Sequence, residues 1–458
     1  MSDLVDLLKS ELGEAAVLTG DDVSARATSY WDASPMKAKA IVRPSSAAEV
    51  SAVLKQCYDR GQSVVTHGGL TGCVQGAQSD GGDIVISMER MNRIEDIDTV
   101  AHTLTVQAGA VLETVQKDVA AQGMFLPLDL GARGSCTIGG NVATNAGGIN
   151  VIRYGMARAL VLGLEAVLPD GTVLSSMNKM LKNNAGFDLK QLFIGTEGAL
   201  GIVTRVVLRL EPQATTRNTA LAALPNFAAI PALLNHLKST VGASLSAFEA
   251  MWGNYFAGVT EEGWHKAPMS RDHSHYILFE CDGSDPARDN DRFMEVVEQA
   301  FEKGIIEDAV IPKSEAERAA LWAIRDDFEA IVSVKPVYLY DVSLPITSME
   351  AYVADVEALL AKLLPTASIY TLGHIGDGNL HFFVQAHTDN PEARELSDRA
   401  IYEPLANYQG SVSAEHGIGL EKKEWLSQSR SDAEIAVMRQ LKNTFDPKHL
   451  LNAGVVVD

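Results

Sequence analysis

Three glycine-rich segments in the first half constrain this chain more than any other feature. They are His67–Gly76, Gly134–Gly148 and Gly195–Gly201. Glycine has no side chain and adopts positive φ readily, so its backbone N–H groups can approach a ligand closely. Such N–H groups can bind a pyrophosphate without charged side chains. No GxxxxGK[ST] sequence is present, which excludes a P-loop nucleotide triphosphatase. No GxGxxG joins the first strand to the first helix, which argues against a nicotinamide-binding Rossmann domain. Any one segment alone could be an ordinary turn, but three together favour ligand binding.

The first half alternates short apolar strands with helices. Residues 41–42 predict a strand, a capping-box pattern at Ser46 predicts a helix start, and Gly61 predicts the helix end. Residues 63–66 predict a strand that runs directly into the first glycine-rich segment. Residues 166–174 predict a hairpin around Pro-Asp-Gly.

The pattern changes after about Glu211, where longer helical periods predict a second, α+β domain. The predicted elements are helices at 226–240, 287–303 and 432–445, strands at 275–281 and 336–344, a hairpin at 368–385 and a loop at 410–420.

Charge and composition exclude several classes of partner. The 458 residues include 38 basic and 59 acidic side chains, for a net charge of −21. Nucleic acids and anionic membranes are bound through basic patches, so neither is expected as the main partner. An anionic substrate would therefore need a local cationic site. No apolar run long enough to span a bilayer, no signal-peptide pattern and no CxxC spacing are present, which predicts a cytoplasmic protein.

A second motif places two histidines across a predicted hairpin. In the stretch GHIGDGNLH, Asp377-Gly378 is a two-residue turn signal. If those two residues form the turn, His374 lies directly opposite His381, with Cβ atoms about 4.5–5.5 Å apart. Two imidazoles at that separation can share a metal ion. A single histidine is more often a packed or surface residue, but this pair favours metal ligation.

The stretch AEHGIG adds a carboxylate and a third histidine. Adjacent residues of an extended chain point to opposite faces, so Glu415 is predicted as the third ligand and His416 as a general base. Two imidazoles and a carboxylate suit Zn²⁺ first, with Mn²⁺ or Fe²⁺ as alternatives. A solvated loop is the other interpretation of this pair. His273 and His275 share a strand face without a carboxylate motif, and they are interpreted as core or surface residues.

The glycine-rich segments resemble the FAD-binding domain of vanillyl-alcohol-oxidase type flavoproteins. In that family they wrap the pyrophosphate and the flavin of FAD. Covalent members carry a histidine where this chain has Leu70, so the resemblance implies a non-covalently bound FAD. It also implies that Glu197, Gly201, Ile202 and Val203 hold the adenine end. The other residues implied to line FAD are Gly68, Gly69, Leu70, Thr71, Gly72, Pro127, Asp129, Ser135, Thr137, Gly139, Gly140, Asn141, Asn145, Gly147, Gly148 and Asn452.

The histidine motifs resemble the C-terminal domain of the D-lactate and D-2-hydroxyglutarate dehydrogenases, and the resemblance runs over nearly the whole chain. It implies an α+β fold with a two-subdomain FAD-binding domain of the vanillyl-alcohol-oxidase type at 1–212 (core about 38–212). An antiparallel-sheet-and-helices substrate (cap) domain follows at 213–410, and a C-terminal segment at 411–458 packs back on the FAD domain. A homodimer is also expected.

The same resemblance implies oxidation of a D-2-hydroxy acid to the 2-oxo acid, with hydride transfer to flavin N5 and His416 as the base. Arg325 would clamp the substrate carboxylate, and Asn379 would contact the substrate. Electrons would pass to a separate acceptor, an electron-transfer flavoprotein, quinone or cytochrome.

Members that act on hydroxyglutarate commonly carry Lys where this chain has Leu339, and Asn where it has Phe383. The sequence therefore favours D-lactate or a larger apolar D-2-hydroxy monocarboxylate, with D-2-hydroxyglutarate as the alternative. A flavin-binding electron-transfer subunit and a metal-dependent hydrolase are the alternatives from other classes.

Overall fold

The computed structural model describes residues 3–458, and its strands are numbered in chain order. They are β1 Val17–Leu18, β2 Ala40–Val42, β3 Val64–His67, β4 Ile84–Ser87, β5 Ile94–Asp98, β6 Thr103–Gln107, β7 Met124–Phe125, β8 Val161–Val167, β9 Val173–Ser176, β10 Ile202–Arg209, β11 Glu211–Pro212, β12 Thr216–Leu224, β13 Leu245–Trp252, β14 His275–Gly283, β15 Asp308–Val310, β16 Val337–Ser343, β17 Ser368–Gly373 and β18 Asn379–Gln385.

The α-helices of the same residues alternate with these strands. They are α1 Leu4–Leu12, α2 Asp21–Ser24, α3 Ala47–Arg60, α4 Leu112–Ala120, α5 Ile138–Ala143, α6 Val151–Tyr154, α7 Ala157–Leu160, α8 Ala229–Thr240, α9 Gly253–Val259, α10 Pro286–Glu302, α11 Glu315–Asp326, α12 Glu329–Val332, α13 Met349–Leu363, α14 Ala393–Tyr402 and α15 Asp432–Phe445. Over residues 3–458, no helix combines the length and apolarity that crossing a membrane requires.

The chain divides into two compact units. Unit 1 comprises residues 1–147 (described from residue 3), Gly155–Gln213 and Glu415–Asp458. In its described residues, a four-stranded sheet has the order β1-β2-β4-β3, with β2, β3 and β4 parallel. A five-stranded antiparallel sheet has the order β5-β6-β10-β8-β9, and β11 pairs with β7.

Unit 2 comprises Gly148–Tyr154 and Ala214–Ala414. Its seven-stranded antiparallel sheet has the order β15-β12-β14-β13-β17-β18-β16. Buried apolar side chains from α9, α11 and α12 form one cluster with residues of this sheet, including Leu278, Leu372 and Phe383. The combination of helices and antiparallel sheets gives the predicted α+β class.

Local sequence explains the first long helix. The Ser46 hydroxyl accepts a hydrogen bond from the Glu49 amide at 3.2 Å, and Gly61 ends α3 in the left-handed conformation at φ 65°. The Glu49 carboxylate binds the Ser45 amide and hydroxyl, so the predicted capping box is only half formed. The predicted hairpin at 166–174 is confirmed by the pairing of β8 with β9.

The longer predicted elements of the second half are also confirmed. The structure has helices α8, α10 and α15, strands β14 and β16, and the hairpin β17–β18 at the predicted positions, with ends within a few residues. A full capping box at Ser431 and Glu434 begins α15.

Candidate active site

His374 and His381 come together in unit 2 by a different geometry from the one predicted. Strand pairing places His381 opposite Leu372, so the predicted direct opposition of the two histidines is wrong. Residues Ile375–Asp377 form a 3₁₀ turn, and Gly378 closes it at φ 95°. With this longer turn, His374 still lies beside His381. The centroids of the two imidazole rings are 5.4 Å apart, at an interplanar angle of 81°.

Glu415 follows Ala414, the last residue of unit 2. The Ala414 amide donates to the Asp341 carboxylate at 3.1 Å, which anchors this end of the segment to β16. One potential ligand atom from each of His374, His381 and Glu415 lies within 4.8 Å of the others. Two imidazole nitrogens and a carboxylate oxygen at this spacing form a donor set that a divalent transition metal can accept.

Glu249, on β13, is a site residue that the sequence did not reveal. Its side chain is 1% exposed, and Oε1 lies 2.8 Å from His374 Nδ1. Oε2 accepts a hydrogen bond from Arg325 Nε at 2.9 Å. Burial opposes the ionised form of Glu249, but His374 and Arg325 outweigh it and lower its pKa. A lone carboxylate within the apolar run Leu245–Trp252 was the available signal.

Asp341 is fully buried on β16 and organises the opposite side of the cluster. Its carboxylate accepts from the Asn379 side-chain amide at 2.9 Å and lies 3.9 Å from His381 Nδ1. The same amide nitrogen of Asn379 donates to the Val342 carbonyl at 2.9 Å. Asn379, predicted to contact substrate, therefore uses its amide nitrogen inside the sheet. Its buried carbonyl oxygen has no hydrogen-bond partner among the described residues.

Leu339 and Phe383 form an apolar pair beside His381. They are directly opposed across β16 and β18, two residues from the opposed pair Asp341 and His381. Side chains two residues apart share a face of a sheet, so the apolar pair lies next to His381. Phe383 also packs against Phe328, with ring centroids 5.0 Å apart.

His416 lies in unit 1, in a loop held by Glu197. The Glu197 carboxylate accepts from the amides of Ile418 at 2.7 Å and Gly419 at 2.9 Å. Burial raises the pKa of Glu197, while these hydrogen bonds act in the opposite direction. A side chain at Gly417, where φ is 89°, would lie 2.7 Å from a Glu197 oxygen. The Glu197 carboxylate, predicted to contact the adenine, thus binds this loop.

Two loops of unit 1 that carry residues predicted to line FAD lie against each other. A side chain at Gly68 would lie 2.6 Å from the Thr137 hydroxyl, and one at Gly69 would overlap the Ser135 carbonyl oxygen. Only glycine therefore permits the first loop to lie against the second. Thr137 caps α5 through the Gly140 amide. This close backbone packing is the type of cradle that a pyrophosphate requires.

Two non-glycine residues of these loops have left-handed backbone. They are Leu70 at φ 56° and Asn145 at φ 50°. The Leu70 side chain packs against an apolar cluster that includes Ile41, Val65 and Val85. Such conformations cost free energy and tend to occur at ligand-binding loops.

Other predicted FAD residues make contacts within the protein. Asn452 donates to the Glu197 carbonyl at 2.8 Å and accepts from the Thr66 amide at 2.9 Å, which joins the C-terminal tail to β3. Asp129 pairs with Arg133 at 2.9 Å, and Asn141 donates to the sulfur of Cys136 at 3.5 Å. The remaining positions comprise Thr71 and Gly72 in the first loop, Pro127, Gly139 against Ala108, Gly147 and Gly148 at the unit boundary, Gly201 directly before β10, and Ile202 and Val203 at the start of β10.

Two known protein families together match most of the chain. Residues 38–176 match the family described as "FAD binding domain". Residues 213–456 match "FAD linked oxidases, C-terminal domain".

Several relatives are similar over most of their length. The chain is 40% identical to the mitochondrial D-2-hydroxyglutarate dehydrogenase of Bos taurus, covering 90% of this chain and 76% of that protein. It is 40% identical to the D-2-hydroxyglutarate dehydrogenase of Xanthomonas citri pv. viticola, covering 93% and 90%. It is 35% identical to a mitochondrial protein of Schizosaccharomyces pombe with a provisional D-lactate dehydrogenase name, covering 91% and 81%.

Solved structures share the fold at low identity. Substrate-bound p-cresol methylhydroxylase aligns with a TM-score of 0.79 at 16% identity, covering 99% of this chain and 96% of that one. The 4-ethylphenol oxidase of Gulosibacter chungangensis aligns with a TM-score of 0.76 at 17% identity, covering 100% and 97%. These neighbours confirm the predicted fold class. Together, the family matches and the relatives show that this chain belongs to the FAD-linked oxidase family.

Proposed function

We propose that this protein is an FAD- and metal-dependent dehydrogenase that oxidises a D-2-hydroxy acid to the 2-oxo acid. The observation that carries the proposal is the cluster of His374, His381 and Glu415, whose ligand atoms lie within 4.8 Å of one another. This donor set lies in a chain of the FAD-linked oxidase family, several relatives of which carry hydroxy-acid dehydrogenase names.

The proposed roles of the side chains follow from their chemistry. When bound, FAD supplies the two-electron acceptor, and a divalent cation supplies a Lewis acid that acidifies the substrate hydroxyl. His374, His381 and Glu415 would hold the cation, and His416 would take the hydroxyl proton as the C2 hydride leaves. Arg325 would contribute the guanidinium donors that Glu249 does not use to the substrate carboxylate. The electrons would then pass to a separate acceptor.

The proposed substrate is a monocarboxylate with an apolar side chain, such as D-lactate or a larger homologue. Leu339 and Phe383 are directly opposed next to His381. A second substrate carboxylate placed against this pair would lose its hydration without gaining a polar partner. Such a loss costs about 2–7 kcal/mol for a polar group.

D-2-hydroxyglutarate is the second candidate substrate. It is favoured by the names of the bovine and Xanthomonas relatives, each 40% identical to this chain.

An anaerobic absorbance titration tests the proposal. The purified protein is mixed with D- and L-2-hydroxy acids, with and without a chelator, and the flavin band is followed. Bleaching by D-acids alone that is lost on chelation supports the proposal. Bleaching that survives chelation contradicts the metal step, a colourless protein favours a metal-dependent hydrolase, and a flavin that no hydroxy acid reduces favours an electron-transfer subunit.

Substitution of Leu339 distinguishes the two substrates. Leu339→Lys places an ammonium group beside His381 and should raise turnover of D-2-hydroxyglutarate relative to D-lactate by about tenfold or more, the effect of 1.4 kcal/mol. Leu339→Met conserves volume and apolar character and should leave the ratio unchanged. An unchanged ratio in Leu339→Lys would contradict the apolar-substrate argument.

A further inference from the structure

Glu249 is buried between a predicted metal ligand and a predicted substrate-binding residue. Its two oxygens point to different partners: Oε1 to His374 Nδ1 at 2.8 Å and Oε2 to Arg325 Nε and Nη2, each at 2.9 Å. The side chains of Glu249 and Arg325 are 1% and 7% exposed. All three residues lie in unit 2.

Strand register brings Glu249 to this position. Ala250 on β13 pairs with Gly373 on β17 in antiparallel register. The preceding residue on β13, Glu249, therefore lies opposite the residue after Gly373, which is His374. Tyr255 holds the end of α11 from the same region, because its hydroxyl donates to the Arg325 carbonyl at 3.0 Å. The pairing of β13 with β17 thus fixes Glu249 beside His374. The Tyr255 hydrogen bond fixes the backbone of Arg325, the other partner of Glu249.

We propose that Glu249 is a positioning residue for both metal and substrate. It orients the His374 imidazole for metal binding through one oxygen and the Arg325 guanidinium for the substrate carboxylate through the other. This inference rests on the proposed function, because the metal and the substrate carboxylate are parts of that proposal.

The physical reason lies in the tautomer of His374. A metal takes the lone pair of a neutral imidazole, so one ring nitrogen must carry the proton and the other must be free to coordinate. A carboxylate facing Nδ1 keeps the proton on Nδ1 and leaves Nε2 as the donor atom. Carboxylates in this position typically change metal affinity by about 10- to 100-fold. Glutamine at this position could not accept from both partners, because only one of its two terminal atoms is an acceptor.

Zinc affinity of the FAD-loaded protein, measured by competition with a chromophoric chelator after metal removal, tests this role directly. Glu249→Gln should weaken Zn²⁺ binding by about 10- to 100-fold. Glu280→Gln is the matched control, because Glu280 is a carboxylate with 4% side-chain exposure on β14 of the same sheet. Its carboxylate binds Arg318, Trp322 and Thr219 at 2.6–2.7 Å. This control should leave zinc affinity unchanged even if it lowers stability.

A second pair of variants covers the case in which Glu249→Gln fails to fold because Arg325 is left unpaired. Arg325→Met keeps the Glu249–His374 contact and should retain zinc affinity while weakening substrate binding. Glu249→Gln combined with Arg325→Met removes the buried charge pair together and should still lose about 10- to 100-fold in zinc affinity relative to Arg325→Met.

The outcomes separate this inference from the proposed function. If the wild type binds one zinc and Glu249→Gln binds it equally well, the positioning role is overturned while the proposed function stands. Equal losses in Glu249→Gln and Glu280→Gln would also overturn it, because the effect would then be a general loosening of the sheet. A wild type that binds no zinc would overturn the metal step of the proposed function, and this inference with it.

Discussion

Individual residues of the candidate site differ in how directly they would meet the substrate. His416 is predicted to accept the substrate proton, whereas Glu197 only holds the loop that carries it, through the amides of Ile418 and Gly419. Burial makes these bonds important, because a buried carboxylate without partners is costly. The position of a proposed base therefore depends on a carboxylate more than 200 residues earlier in the chain.

Removal of the His416 imidazole should separate chemistry from cofactor binding. His416→Ala should slow flavin reduction by a D-2-hydroxy acid by about 10²–10⁴-fold, the usual contribution of a general base. The flavin content of the purified protein should be unchanged. Stopped-flow absorbance measures the rate, and His265→Ala, which changes a histidine paired with Asp327 at the surface, serves as the control. A variant that reduces flavin at the wild-type rate would exclude His416 as the base.

His67 should make stability depend on pH. Burial lowers its pKa from 6.5 to about 4, although the hydrogen bond of its Nε2 to the Ala77 carbonyl acts in the opposite direction. Between pH 6.5 and about 4, the imidazole is therefore neutral in the folded protein but protonated in the unfolded chain. Its contribution to stability is therefore complete above pH 6.5 and is lost as the pH falls to about 4, by roughly 3 kcal/mol.

The variant His67→Gln tests this pH dependence, since its amide can replace the N–H donated to Ala77. Thermal midpoints measured between pH 7.5 and 4 should fall less steeply for the variant than for the wild type. Parallel curves for the two proteins would exclude His67 as a source of acid sensitivity.

At the scale of elements, local sequence signals predicted more than pairing did. Ser46 and Gly61 mark the ends of α3 because capping depends on adjacent residues. Asp377-Gly378 correctly indicated a turn between β17 and β18, but dipeptide chemistry does not fix the number of residues in the turn. The predicted register was therefore wrong, although the two histidines still meet.

Long-range contacts set the limit of what the sequence could predict about the site. His374 and His381 are seven positions apart, and their motif could be found by inspection. Glu249 lies 125 positions from His374, and only the pairing of β13 with β17 brings them together. No local pattern encodes that pairing, so the contact of Glu249 with His374 could not be predicted from the sequence.

The contact between the first two glycine-rich segments predicts a sharp difference between two similar substitutions. Gly69→Ala places a methyl group on the Ser135 carbonyl oxygen and 2.9 Å from the Cys136 Cα. Both are backbone atoms, so the variant should lose about 1–3 kcal/mol of stability and retain less FAD. Gly81→Ala meets nothing within 4 Å and is the control. Flavin-to-protein absorbance ratios and thermal midpoints provide the measurement, and equal values for both variants would refute the packing argument.

At the scale of the whole molecule, residues 415–458 pack within unit 1 against residues from the first half of the chain. The Lys442 ammonium is 2% exposed and pairs with Asp446 at 2.7 Å. It also donates to the carbonyl oxygens of Ala199 at 2.9 Å and Leu451 at 2.6 Å. One side chain thus joins α15, the third glycine-rich segment and the C-terminal tail.

Loss of this ammonium should destabilise the protein strongly. Lys442→Met leaves the Asp446 carboxylate buried without its cation and should cost about 3–5 kcal/mol in the free energy of unfolding. Lys55→Met removes the same type of i,i+4 pair, with Asp59, from a side chain that is 66% exposed. That control should cost less than about 0.5 kcal/mol. Urea unfolding measures both, and similar losses would mean that burial of the pair is unimportant.

The discontinuity of unit 1 has a consequence for synthesis on the ribosome. On β3, the Val64 amide donates to the Leu450 carbonyl, and the Thr66 amide donates to the Asn452 side-chain oxygen. Residues 415–458 are translated after the whole of unit 2. The nascent chain can therefore complete the sheet of unit 2 while β3 still lacks these partners. We therefore expect a finished unit 1 to accept its cofactor only after residues 415–458 have been synthesised.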